Sequence, residues 1–212
     1  MNSREVILGR AREALRIPAE RHAAHGAAGT WWPPPLETLD AQIELFARNA
    51  AGLKAEFEVC ASAKEAGMRM GTYGWKRIGV HGGELTNAVA RELGLAEVRT
   101  DGGYAVDKLE KCDAGLTECD ALVADTGSVL VSSASAGGRA LSVLPPHHVV
   151  LARRNQMVPD LSAALHRVQE KFKNKFPSFL SFISGPSRTG DIERILVLGA
   201  HGPKNLTILL LP

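Results

Sequence analysis

The segment RIGVHGGELTNAVARELGLAEVRT, residues 77–100, sets the fold class. A short apolar run, Arg77 to Val80, enters a glycine turn; a helical pattern near residues 84–93 follows, and a second run covers Glu97 to Thr100. Short runs separated by a helix and glycine turns mark parallel strands in an α/β sheet, because a parallel pair needs a crossover. The turn His81-Gly82-Gly83-Glu84 is built like a strand-to-helix anion turn. It has neither the GxxxxGK[ST] nor the GxGxxG pattern, so it implies no nucleotide fold.

The same texture extends outward from this segment. Further strands are expected at Glu56 to Cys60, Ala121 to Ala124, Val129 to Ser132, His148 to Leu151, Phe179 to Ile183, Ile195 to Leu198 and Leu206 to Leu211. Helices near 62–70, 160–174 and 188–193 supply crossovers. Too few residues part Ala124 from Val129 for a helix, so a hairpin or bent strand is expected there and the sheet can be mixed. Upstream, Val6, Ile7, Ala11, Ala14 and Leu15 repeat at helical spacing behind Ser3, an N-cap residue, and Pro18 ends a helix over 3–16. The stretch Ala19 to Pro35, with Trp31-Trp32 and three consecutive prolines, cannot sustain regular structure and reads as a linker. A helix over 36–52 then carries Leu39, Ile43, Phe46 and Ala47 on one face. The expected division is a helix and linker over 1–35 and one α/β domain over 36–212.

With 212 residues, 45% hydrophobic and 23% charged, and a formal net charge of +2, the chain has the make-up of an ordinary globular protein. The basic residues are scattered and form no footprint for nucleic acid. Cys60, Cys112 and Cys119 contain no CxxC pair, and their odd number argues against a disulfide framework. No apolar run reads as a secretory signal or a membrane span, so a cytoplasmic location is expected.

Ligands of open α/β sheets bind beyond the carboxyl ends of strands, which directs the search to the loops after apolar runs. Asp125-Thr126-Gly127-Ser128 offers a carboxylate, two hydroxyls and a glycine that lets amides approach an anion; a tight turn between two strands accounts for the same residues. Ser135-Ala136-Gly137-Gly138-Arg139 ends in a guanidinium suited to a carboxylate or phosphate. Pro145-Pro146-His147-His148 delivers a histidine, His148, able to titrate near neutrality; a surface turn with one half-buried histidine accounts for the same residues. The two adjacent histidines face opposite sides of a strand and cannot chelate one metal together. The last two loops run from Ser184 to Glu193 and from Gly199 to Pro203. If their parent runs are strands of one parallel sheet, both emerge at one edge and form a pocket with the Asp125 to Ser128 loop. Ser184, Gly185, Ser187, Arg188, Thr189 and Gly202 are then candidate ligand contacts at the start of the 188–193 helix, with Asp191, Glu193 and His201 as candidate acid–base groups. The two acids can equally offset a helix dipole, and His201 can be merely solvated. No metal set is present in the form of HExxH or closely spaced Cys and His. Cys60, at a strand end, is either a nucleophile or a buried structural thiol.

SGPSRTGDIE (184–193) followed by GAHGPKNL (199–206), with ADTGSV (124–129), the glycine–arginine stretch and PPHHVVL (145–151), resembles the LutC/YkgG family of LUD-domain proteins from about Glu118 onward. The N-terminal half resembles that family in layout only, and Gly190 stands where family members commonly carry Ala. The resemblance implies a three-layer αβα sandwich with a mostly parallel sheet, like the NagB/RpiA/CoA-transferase superfamily, behind an N-terminal helical extension. It further implies a component of an iron–sulfur-dependent L-lactate utilisation system that oxidises L-lactate to pyruvate, with iron–sulfur partner proteins holding any cluster. A small carboxylate or other anionic ligand is expected, and no cofactor is identified. Two alternatives stay open: a stand-alone isomerase or CoA-transferase-like enzyme using Asp191, Glu193 or His201, and a noncatalytic assembly module docking through Trp31-Trp32-Pro33.

Overall fold

In the computed structural model, which describes residues 3–16, 36–173, 175–189, 197–198 and 202–212, the first element is helix α1 (Ser3–Ala14). Glu5 in its first turn and Arg12 in its last each offset the helix dipole. This helix belongs to one unit, Met1–Pro34, and everything that follows to a second, Pro35–Pro212.

The second unit opens with α2 (Leu39–Gly52), β1 (Glu56–Val59), α3 (Ala63–Gly71), β2 (Arg77–Val80), α4 (Glu84–Leu93), β3 (Ala96–Arg99), α5 (Val106–Leu109) and β4 (Ala114–Glu118). It continues with β5 (Ala121–Val123), β6 (Ser128–Ser132), β7 (His147–Arg153), β8 (Met157–Val158), α6 (Leu161–Phe172), β9 (Leu180–Ile183), β10 (Arg188–Thr189), β11 (Val197–Leu198) and β12 (Asn205–Leu211). Six strands form a parallel sheet in the order β1-β12-β7-β4-β2-β3. The α/β class, the mostly parallel sheet and the N-terminal helix are therefore as expected.

The helices start where short polar side chains satisfy free amides. Thr38 accepts from the Ala41 N–H at 3.3 Å, Ser62 from Glu65 at 3.2 Å and Asp160 from Ala163 at 2.8 Å. α3 also draws Glu65 back onto the Ala61 N–H, 2.6 Å away. α4 ends at Gly94, whose left-handed φ of 60° suits a residue without a β-carbon.

Alternation along the central strands covers both faces of the parallel sheet. Val149, Leu151, Leu209 and Leu211 pack with Met70 of α3 and Val89 of α4, whereas Val150, Ala152, Ile208 and Leu210 pack with Phe46 of α2 and with the second sheet. Each buried Val, Leu, Ile, Phe or Met among them stabilises the fold by roughly 1.5–3 kcal/mol.

Three departures from the sequence reading bear on the site. β4, at the middle of the sheet, has no counterpart among the expected strands. Its Gly115 lets the chain at Leu141 lie directly on the sheet, since a β-carbon there would sit 2.3 Å from the Leu141 carbonyl oxygen. Second, the Phe179 to Ile183 run joins a separate sheet, β8-β5-β6-β9, in which β5 and β6 form the anticipated hairpin and β9 runs antiparallel to β6. α6 covers the far face of this sheet through Ala164 and Val168. Third, Arg188 and Thr189 start a strand, not a helix: β10 pairs antiparallel with β11. The Ile195 to Leu198 run thus contributes Val197 and Leu198 to a two-stranded ladder outside the parallel sheet, and residues 190–196 lie outside the described residues.

Candidate functional site

The described parts of the last two loops meet, but at the opposite end of the sheet and without the Asp125 to Gly127 turn. Because β9 hangs on the edge of the second sheet, the loop after it folds back over the starts of β7 and β12. The Ser187 N–H donates to the Pro203 carbonyl at 2.9 Å, tying the 184–187 loop to the 202–203 loop. The amide of Lys204 reaches the Pro146 carbonyl at 2.8 Å and anchors both beside β7. A cavity of about 310 Å³ lies between them, and His148, Ser184, Gly185, Ser187 and Gly202 line it. Five of the residues chosen from the sequence therefore share one cavity.

His148 is the second residue of β7, between Gly115 of β4 and Leu206 of β12. The residue is 1% exposed and its Nε2 lies 2.9 Å from the Thr117 hydroxyl, while Nδ1 is buried without a hydrogen-bond partner. Burial, and secondarily the neighbouring His147, push its pKa down to about 3. The expectation of a histidine titrating near neutrality is thus corrected: a ring this deep stays neutral. His147 faces the other side, as alternation requires, with its Nε2 2.8 Å from the Thr207 hydroxyl and its ring edge-on to Tyr73 and Trp75.

Ser128 and Arg139 border the same region. The Ser128 hydroxyl lies 2.7 Å from that of Ser184. The Arg139 guanidinium stands 5.3 Å over the ring of Phe179, which lines the cavity. Asp125, Thr126 and Gly127 do not reach it. Asn49 of α2 donates to the carbonyls of Ala124 and Asp125 at 2.9 and 2.8 Å, and Gly127, at φ 64°, abuts α2 so closely that a β-carbon would lie 2.6 Å from the Ala50 nitrogen. The structural-turn alternative fits these three residues, although the buried Thr126 hydroxyl has no partner. Arg188 donates to the Leu53 carbonyl at the end of α2. Thr189 lies on β10, and Asp191, Glu193 and His201 lie outside the described residues.

Ser142, Val143, Phe179, Ser181, Phe182 and Leu206 also line the cavity and were not picked out from the sequence. Phe179 to Ile183 runs straight into Ser184, so its end had to border that loop; Ser142 and Val143 carry no motif.

The customary anion position of an open α/β sheet is occupied by the chain itself. Glu118, at the end of β4, accepts the amides of Leu85 and Thr86 at the start of α4, at 2.8 and 3.3 Å. Asp101 takes the Gly82 N–H at 2.6 Å. The placement expected from the strand carboxyl ends is corrected accordingly: the cavity sits where β7 and β12 begin.

Cys60, Cys112 and Cys119 are free, buried thiols in three different core clusters, and burial pushes each pKa up. For Cys60 this supports the structural alternative. Among the described residues no three or more His, Cys, Asp or Glu are grouped to hold a metal ion, and no helix is long and apolar enough to cross a membrane.

Comparison with known proteins matches residues 43–211 to the LUD domain model. "Lactate utilization protein C" of Halalkalibacterium halodurans is 36% identical over 121 residues, 56% of this chain and 53% of that protein. The protein of the same name from Deinococcus radiodurans is 29% identical over 157 residues, covering 65% and 73%, and Escherichia coli "Uncharacterized protein YkgG" is 30% identical over 112, covering 52% and 48%. The matched part of this chain thus spans about half the length of the first relative. The crystal structure of a DUF162 family protein from Deinococcus radiodurans superposes with a TM-score of 0.67 at 22% identity, over 84% of this chain and 100% of that one, which shows the shared fold. With the domain model matching well over half its length, the chain belongs to the LUD domain family.

Proposed function

We propose that this chain is a cytoplasmic, ligand-holding component of an L-lactate utilisation system in which iron–sulfur partner proteins carry out the oxidation of L-lactate to pyruvate. The names of its relatives support the process, and the cavity with the unpaired Nδ1 of His148 carries the claim of a ligand. Its three separated, buried cysteines do not fit a cluster, so the electron carrier is assigned to partners. The ligand bears an anionic group that meets Arg139 beside the cavity and a body that the cavity encloses. Asp191, Glu193 and His201, in the segment joining Ser187 to Gly202, are its candidate acid–base groups.

Deleting the gene is expected to abolish growth on L-lactate as sole carbon source, with growth on a sugar unaffected. Unchanged growth on lactate overturns the proposal. Complementation by Asp191→Asn or His201→Ala tests the acid–base roles: a variant that restores full growth removes its residue from them.

A further inference from the structure

The cavity is finished in a way that constrains its occupant. Phe179, Phe182, Ile183 and Leu206 supply apolar walls, and among the described residues no ionised side chain lines it. Two of the four serine hydroxyls lining it are already engaged: Ser142 donates to the Arg139 carbonyl at 3.1 Å and Ser184 pairs with Ser128 at 2.7 Å. One buried polar atom is left over, Nδ1 of His148, on a side chain held from its other nitrogen by Thr117. A buried polar group without a partner is costly, and native structures keep one chiefly where something else completes it.

We infer that the inner end of this cavity takes an uncharged, ring-bearing group whose oxygen or nitrogen hydrogen-bonds Nδ1 of His148. The inference rests on the ligand-holding reading above and names the chemistry of the enclosed body. A carboxylate driven inward would meet a neutral imidazole and aromatic walls with no counter-charge among the described lining residues, so it would give up its hydration for nothing comparable. About 310 Å³ exceeds what a three-carbon hydroxy acid fills and lies at the small end of ordinary ligand sites, which suits one or two fused rings. Neither lactate nor pyruvate is therefore the enclosed group. The ligand's charge stays outside, where Arg139 stands on Phe179.

The test uses the full chain and a fluorescent probe, 2-naphthol, with naphthalene as the same ring system lacking the polar atom. The parent is expected to bind 2-naphthol about tenfold more tightly than naphthalene, the worth of one hydrogen bond to an otherwise unsatisfied buried group. His148→Phe keeps a ring in place, removes Nδ1 and should bring that preference to about one. Taking the ratio within a single preparation cancels any difference in folded fraction. No binding of either probe, no preference in the parent, or a preference that survives His148→Phe overturns the inference. So does binding of 2-naphthoate that exceeds 2-naphthol and survives Arg139→Ala, because it would put the charge inside. Growth on lactate does not depend on these probes, so the role in utilisation and the chemistry of the cavity fail separately.

Discussion

At the end of the sheet where β2 and β4 finish, the carboxylates meet donors from this chain: Glu118 on the amides of α4, Asp101 on Gly82, and Asp120 between Lys171 at 2.6 Å and Ser135 at 2.8 Å. At the other end, where β7 and β12 begin, a cavity remains and one imidazole nitrogen has no partner. The two ends of one parallel sheet thus divide the labour of polar groups. One has become structural, even though open α/β sheets ordinarily bind ligands there, and the other keeps an incomplete hydrogen-bond set.

The largest effect is expected from opening the closed end. Asp120 has a fully buried side chain, whereas Lys171 is about half exposed. Lys171→Met leaves the buried carboxylate with Ser135 as its remaining side-chain partner and should lower stability by about 2–3 kcal/mol, below the full cost of splitting a buried pair because water already screens the lysine. Urea unfolding measures it. A loss under about 0.5 kcal/mol would mean that water reaches Asp120 and that this end is no more closed than the other.

Protonation separates the two ends by pH. Unfolded, His148 takes up a proton around the ordinary value of 6.5; folded, it refuses one until about 3. Stability from its burial is therefore complete above the unfolded value and is lost as pH falls below it. Between pH 7 and 5 the loss should be about 2 kcal/mol. His147, lowered by burial against an opposing pull from Glu56, adds in the same direction. At the other end the carboxylate of Asp101, whose burial is outweighed by the Gly82 amide and Arg99, is depressed and keeps its contribution until pH drops below about 4. Denaturation curves at pH 7, 6 and 5 should thus slope for the parent and flatten by most of that amount in His148→Phe. An undiminished slope in the variant would show that the ring is open to water.

The sequence carried the class of the fold, and the two-ended contrast shows where it stopped. Arg77 to Thr100 announced a crossover because local periodicity and glycines encode it, and the same holds for the hairpin around Asp125 to Ser128. β4 escaped because Ala114-Gly115-Leu116-Thr117-Glu118 lacks a β-branched apolar run; its merit as a central strand is the missing β-carbon that admits Leu141, a contact remote in sequence. Which sheet receives Phe179 to Ile183 is likewise a matter of long-range pairing, and that placement decides at which end Ser184 to Ser187 arrive. His148, Ser184 and Gly202, which line the cavity, were singled out by their motifs. The neutrality of His148 was not, because burial by β4, β12 and the loops is a property of the assembled sheet.

The smallest effect gives the sharpest check on the closed end. Glu118 holds the first amides of α4, so Glu118→Ala returns them to water at a cost of about 1 kcal/mol. Position 83 reports on the same contact: a β-carbon there would lie 2.1 Å from the Glu118 Oε1 and only 2.9 Å from the Thr86 hydroxyl. The end of a glutamate side chain can swing away, so Gly83→Ala should displace the carboxylate and cost about as much as deleting it. If so, the two substitutions remove one interaction, and the double variant should be destabilised by about 1 kcal/mol, the same as either single change. A double variant whose loss equals the sum of the two, about 2 kcal/mol, would mean that Glu118 does not occupy the start of α4 in solution. That helix terminus would then have amides to spare, and the sheet would present an incomplete hydrogen-bond set at both ends instead of one.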